Sequence, residues 1–393
     1  MGRVAWTALL ANSVLVQAVT FLLRPASTYQ AIALDVPGGA LGAIGATFAI
    51  VPLLLAIPVG GLVDRLGEKR LMIGGALLMV AASTVFLTAT ESVAGLVVAN
   101  ALLGAAHLAC VIGQQSLVAN TAPPGQLDAR FGYYTFMASL GQAAGPSLIA
   151  AVAGTSVQPD TRPIFVLAVA MSVVMLVTSL LVPLRRRSAA ERAEARGGLV
   201  GLLRTPGLGR ALTTSAIILS AVDLTLVYLP ALGAERGLTA AAVGALLTVR
   251  AVFSMASRLL LGRLSAWLGR TRLMATSIVV TAGALVLCAV PAPLPVLLVV
   301  VALLGLGLGV GQPLTMSWLT EQAPATQRGK ALSLRLAGNR VGQVVIPTTL
   351  GVAAVGTGAP GVLAATGVAV GASGLLLRGF SIDRRDDPDP ASD

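Results

Sequence analysis

Long apolar runs alternate along this chain with short clusters of glycine, proline and charge. The runs fall at 4–30, 38–60, 71–90, 93–118, 131–153, 163–183, 209–231, 240–261, 272–290, 295–319, 333–355 and 360–378. A helix of about 20 apolar residues crosses the hydrocarbon of a bilayer. No water is available there to satisfy backbone N–H and C=O groups, so runs of this kind must be helical. The pattern predicts an all-α integral membrane protein with twelve transmembrane helices in two six-helix bundles. Residues 1–184 form the first bundle and 208–380 the second. A charged linker at 185–207 joins them, and a charged, proline-containing tail follows at 381–393.

Composition agrees. Hydrophobic residues make up 56% of the chain and charged residues 11%, where a soluble domain carries about 25%. The 44 glycines suit the close approach of membrane helices. A net charge of +11 would suit a nucleic-acid partner, but its placement argues otherwise. With the N-terminus inside, the loops predicted to face outward carry only Arg162 and Arg236 among basic residues, and the inner segments carry most of the rest. That asymmetry orients both termini to the cytoplasm and makes this a multi-pass protein of the cytoplasmic membrane. The Arg185-Arg186-Arg187 stretch of the linker is expected to lie on anionic lipid headgroups. Cys110 and Cys288 both lie within apolar runs, which does not support a disulfide framework. One histidine and no clustered ligands give no metal site, and no cofactor motif is present.

The chain repeats itself. Gly60–Arg70 reads GGLVDRLGEKR, and Gly262–Arg272 reads GRLSAWLGRTR, 202 residues later. Gly141-Gln142, five residues before Pro146, recurs as Gly342-Gln343 before Pro347, 201 residues later. Both halves begin on the same side, so the repeats are parallel, related by a pseudo-twofold axis along the membrane normal. The first copy resembles the loop between spans two and three of the major facilitator superfamily. Gly60, Asp64, Arg65, Gly67, Lys69 and Arg70 fill the defined places of that motif. In the second copy Ala266 and Trp267 replace the acidic residue and the basic one after it. The resemblance implies a secondary transporter working by alternating access, with its substrate site near the midplane between the halves. It also implies that Asp64 gates the inner side against the positive end of the eleventh helix. Gly141, Gly145 and Pro146 resemble the helix-packing motif of the superfamily's proton-driven antiporters, although Ile149 and Ala150 stand where paired glycines are expected. Those antiporters often carry Arg where this chain has Asn100, so that proton-relay role does not carry over.

Charged residues inside spans are costly and point to function. Arg24, Arg250 and Arg340 lie deep in their runs, and Asp223 is the one carboxylate well inside a span. Arg258 is placed to snorkel. Asn100, His107 and Gln114 are spaced by seven and share one face of the fourth helix, which is expected to look into a cavity. Together with Gln343 and the three deep arginines they are the candidate substrate contacts. Asp223 is the candidate proton site, with Arg24, Arg250 or Arg340 as its partner. Glu321, Arg272 and Arg335 are expected to cluster at the inner face of the second half.

Two readings of function follow. The first is export of a small organic compound by proton antiport. The second is import or exchange of an organic anion at the buried arginines. The partners are a small-molecule substrate, anionic or amphipathic on the second reading, protons and lipids, and the expected state is a monomer. A receptor or membrane enzyme on the same scaffold would need a soluble signalling part or a catalytic cluster, and neither is apparent.

Overall fold

The computed structural model describes residues 2–36, 38–153, 160–184, 201, 204, 206–353 and 357–377. Most of the linker at 185–207 and the tail at 381–393 lie outside them. The described residues form twelve long helices: α1 (Arg3–Ala33), α2 (Gly38–Leu66), α3 (Glu68–Thr88), α4 (Val93–Thr121), α5 (Leu127–Ala153), α6 (Arg162–Leu181), α7 (Leu208–Glu235), α8 (Ala240–Leu268), α9 (Arg270–Ala289), α10 (Leu294–Gln322), α11 (Arg328–Ala353) and α12 (Gly358–Ser373). They match the twelve apolar runs in order. Several helices outlast their runs: α2 and α8 continue through the polar motif and stop only at Gly67 and Gly269. The apolar run marks the stretch that suits hydrocarbon, whereas the helix continues until a residue breaks its backbone.

Those two glycines break it in the same way. Gly67 has φ 89° and ψ 160°, and Gly269 has φ 74° and ψ 154°, a region that is essentially glycine-only. Each lets the chain turn at once from one helix into the next. Gly67→Ala and Gly269→Ala are each expected to cost about 1–3 kcal/mol. Thermal unfolding of the purified variants in detergent checks this, and a wild-type midpoint for either would contradict it.

The chain divides into two compact units. The first is Met1–Arg204 together with Ala323–Arg340, so the first half of α11 belongs to it. Within it α1 packs on α4, α5 and α6, α2 on α4, and α3 on α4 and α6. The second is Thr205–Gln322 with Val341–Asp393. There α8 packs on α10, α9 on α10 and α12, and α7 on α10 and α12. Apart from α1 on α5, each of these pairings recurs in the second repeat. The crossings coincide to the residue. A Cβ on Gly104 of α4 would lie 2.4 Å from the Phe48 carbonyl oxygen of α2, and one on Gly305 of α10 would lie 2.4 Å from the Arg250 carbonyl oxygen of α8. Phe48 and Arg250 are 202 residues apart, so they hold equivalent positions in the two units.

Large apolar side chains remain exposed on the outside, among them Leu54, Val279 and Val299. Such faces suit lipid, as expected of a multi-pass membrane protein. Helix ends are satisfied across neighbours. Glu235 accepts from the Ala359 N–H at the start of α12, and Arg236 donates to the Cys288 and Ala289 carbonyls at the end of α9. Each charge thus meets the helix end of opposite partial charge. Cys110 and Cys288 are buried free thiols.

Candidate functional site

The motif at the end of α2 builds a docking surface inside the first unit. Asp64 is fully buried. Its Oδ1 accepts from the Gly329 N–H at 3.0 Å and its Oδ2 from the Lys330 N–H at 2.9 Å. The first N–H groups of a helix have no partner within it and carry its positive end, so a carboxylate suits them twice over. Two glycines allow the contact. A Cβ on Gly60 would meet Ser333 Oγ at 2.0 Å, and one on Gly329 would meet Val63 Cγ1 at 2.2 Å. A second link runs the other way. Arg328 Nη1 donates to the Ala119 carbonyl at 2.9 Å, near the end of α4, and lies 3.4 Å from Asn120 Oδ1. Asn120 in turn donates to Glu68 Oε1 at 2.6 Å. The other motif residues divide their tasks: Lys69 donates to the Leu180 carbonyl at the end of α6, while Arg65 and Arg70 are exposed.

The expected cluster of Glu321 with Arg272 and Arg335 does not form. Glu321 pairs with Arg270, Arg272 is exposed, and Arg335 is buried within the first unit. The Gly269 turn is the reason: it presents the residue directly after it to the end of α10, and Arg272 falls on another side of the helix. Arg270–Glu321 is the repeat counterpart of Glu68–Asn120, an ion pair in one unit and an ion–amide bond in the other.

Deeper in the first unit, the polar stripe of α4 faces α1. Asn100 donates to Ser27 Oγ at 2.6 Å, His107 Nδ1 lies 3.0 Å from Thr20 Oγ1, and Gln114 donates to Asn12 Oδ1 at 2.7 Å. As one helix rises the other descends, so residues spaced by seven on α4 meet residues spaced by seven or eight on α1. Gln114 also accepts from the Tyr134 hydroxyl and lines neither cavity described below. Asn100 and His107 each satisfy a helix contact and line a cavity.

Phe48 of α2 stands at the centre of the remaining candidates. The Arg24 guanidinium lies 4.7 Å from its ring centroid and that of Arg340 lies 6.0 Å from it. The His107 ring meets it edge-on at 5.6 Å. His107 and Arg340 lie at the midpoints of α4 and α11, counted along each helix. Arg24 lines a cavity of about 340 Å³ together with Phe21, Pro25, Ile44 and Asn100. Arg340 and His107 line a much smaller one with Pro52 and Leu336.

The second unit holds the other two deep charges. Asp223 sits near the midpoint of α7 and accepts from the Gln343 amide of α11. Arg250 lies within electrostatic reach of Asp223. It is 8% exposed, and its Nε has no hydrogen-bond partner among the described residues. In the first unit the repeat partner of Gln343, Gln142, donates to Gln17 of α1. Gly141 and Gly145 set α5 against α1: their Cβ atoms would lie 2.3 Å from the Val14 carbonyl oxygen and 2.6 Å from the Phe21 carbonyl carbon. Pro146 continues within α5.

Sequence reasoning passed over Phe48, Arg328, Asn120 and Asn12. Phe48 carried a usable signal, since it occupies the repeat position of Arg250, itself a candidate. Arg328 reads as one more basic residue in an inner loop, and nothing in the sequence points it at α4.

The profile of the Major Facilitator Superfamily matches residues 9–235 and again 211–393. The chain belongs to that superfamily; it is a multi-pass membrane transporter and not an enzyme. No curated protein matches it in sequence. Among solved structures, the E. coli fucose:proton symporter aligns with TM-score 0.79 at 17% identity, covering 94% of this chain and 97% of its own. The human organic anion transporter MFSD10 aligns with TM-score 0.75 at 18% identity, covering 96% and 99%. A bacterial homologue of the iron transporter ferroportin, in an outward-facing state, aligns with TM-score 0.75 at 16% identity, covering 95% and 98%. Identities this low establish the shared fold and leave the solute to be argued from this chain's residues.

Proposed function

We propose that this protein exports a small organic compound across the cytoplasmic membrane in exchange for protons, by alternating access, with both termini in the cytoplasm. The observation that carries the coupling is Asp223, a carboxylate near the midpoint of α7, held by Gln343 and within reach of Arg250. A carboxylate in a poorly hydrated setting binds protons more readily, and a nearby cation opposes this. An Asp whose distance from a cation changes during the cycle therefore takes up and releases a proton. The glycines of α5, packed on α1, belong to a stretch that resembles a motif of the superfamily's proton-driven antiporters, which supports the direction. Docking of α11 on Asp64 serves as the inner gate and must break for the cytoplasmic side to open.

Purified protein in proteoliposomes tests the coupling. A counterflow screen of anionic, neutral and cationic compounds first supplies a solute. Asp223→Asn is then expected to abolish pH-driven accumulation of that solute while retaining exchange at equal pH on both sides. Full pH-driven accumulation in the variant would remove Asp223 as the obligatory proton site. Loss of exchange and driven transport together would assign it a structural role.

A further inference from the structure

We propose that the cluster around Phe48 is a binding site for an amphipathic organic anion, a carboxylate or sulfonate carried on an apolar body. This deepens the transport reading, on which it rests, by giving the solute a chemical class. Three observations carry it, all within the first unit. First, two guanidiniums approach one aromatic ring, at 4.7 Å and 6.0 Å from its centroid. Stacking engages the face of a guanidinium, while its N–H donors lie along the edge, where a carboxylate or sulfonate is met two oxygens at a time. The ring thus marks a place where two guanidiniums come together, within reach of one anionic group. Second, the cluster lies at membrane depth: His107 and Arg340 mark the middle of their helices. Arginines at that depth are costly to place and so point to a function. Among the described residues, neither cavity is lined by an Asp or a Glu.

Third, the larger cavity supplies the apolar half of the site. Its volume of about 340 Å³ falls at the small end of the range for ligand pockets. Phe21, Pro25, Ala31 and Ile44 give it apolar walls, and Arg24 sets the charge at one side. Phe48 touches Arg24, which lines this cavity, and also Arg340 and His107, which line the smaller one. It therefore stands between the two spaces and orients the cations of both. The solute's anionic group is placed at the Arg24 and Arg340 edges, and its apolar body against Phe21 and Ile44. A neutral compound of the same shape would fill the cavity and forgo the charge-assisted bonds. A cation of that shape offers no acceptor to the guanidinium N–H donors.

The test is equilibrium binding to the purified full-length protein in lipid nanodiscs, by calorimetry, at equal pH throughout. Three probes share one ring: benzenesulfonate, benzenesulfonamide and benzylammonium. Benzenesulfonate is expected to bind saturably, at least about tenfold more tightly than the sulfonamide, and benzylammonium not at all. Arg24→Gln and Arg340→Gln should each weaken benzenesulfonate by about tenfold and leave the sulfonamide within about twofold. Phe48→Leu keeps the bulk of the side chain and should weaken the sulfonate while Phe48→Tyr retains it. Thermal unfolding of each ligand-free variant identifies any that fail to fold, and Arg24→Lys, which keeps the charge, should bind better than Arg24→Gln. Equal affinity for sulfonate and sulfonamide, preference for benzylammonium, or no binding of any arylsulfonate or arylcarboxylate would overturn the proposal. The measurement uses no proton gradient, so its failure is separable from that of the transport reading. Anion binding without pH-driven transport would contradict the coupling alone. Driven transport of a neutral or cationic compound would contradict the solute class alone.

Discussion

Asp64→Asn is expected to slow solute counterflow by about tenfold or more while the protein remains folded. The wild-type carboxylate offers one oxygen to each of two backbone N–H groups at the start of α11. Such charge-assisted bonds contribute about 1.5–3 kcal/mol, and each 1.4 kcal/mol is a factor of about ten in a population. Asparagine keeps one acceptor and turns an NH₂ donor towards the other N–H, so one bond is lost and two donors face each other. The docked state should then lose population to states in which α11 has moved away from α2. Gly329→Val should act in the same direction by another route, because the added side chain would meet Val63 and Asp64 themselves. A thiol placed by Ser333→Cys reports the shift. Ser333 is fully buried against Gly60, and a membrane-permeant alkylating reagent should label it faster in the Asp64→Asn background. Wild-type transport and unchanged labelling would count against a gating role for this contact.

Arg270→Met should destabilise the protein by about 3 kcal/mol, the low end for breaking a buried ion pair. The Arg270 side chain is 7% exposed and that of Glu321 26%, so the orphaned carboxylate regains only part of its hydration. The equivalent contact in the other unit joins Glu68 to the neutral Asn120, and Glu68→Gln should cost only about 1 kcal/mol. Removing both partners in Arg270→Met with Glu321→Leu should recover much of the loss, since the pair's own net contribution is small. Thermal or denaturant unfolding in detergent checks all three. Equal costs at the two repeat positions would show that the ion pair matters no more than the amide contact.

The features legible in the sequence are those that depend on the chain's immediate solvent. Twelve apolar runs gave twelve helices because lipid leaves the backbone no alternative. Ten of these helices qualify as spans by length and apolar composition among the described residues. α5 and α11 are not among them: α5 mixes Tyr133, Tyr134, Gln142 and Pro146 into its apolar stretch, and α11 carries Arg328, Lys330, Arg335 and Arg340. Both were read as apolar runs, at 131–153 and 333–355, and the Gly-Gln-Pro repeat at 141 and 342 paired them across the two halves. The Gly67 turn was not legible: the runs left 61–70 between two helices, whereas α2 continues to Leu66 and α3 starts at Glu68. Partner choice was less so. The stripe of Asn100, His107 and Gln114 followed from helical spacing, but its contacts with Ser27, Thr20 and Asn12 depend on the offset between α4 and α1, which spacing on one helix does not encode. Phe48 looked like one apolar residue among many; two arginines on other helices make it the centre of a cluster. Glu321 was assigned to Arg272 and Arg335 by proximity along the inner face, and the turn at Gly269 gave it to Arg270 instead.

Proton flux measured against solute flux tests the central claim most directly. Proteoliposomes containing the wild-type protein would be loaded with a pH-sensitive dye and with a solute that the protein exchanges in counterflow and that does not itself cross the bilayer. They would then be diluted into acidic buffer. The account predicts that the lumen acidifies in step with solute release, that neither flux proceeds at the wild-type rate in Asp223→Asn, and that solute exchange at equal pH survives in that variant. Solute release with no accompanying proton entry, or with proton movement outward, would contradict it.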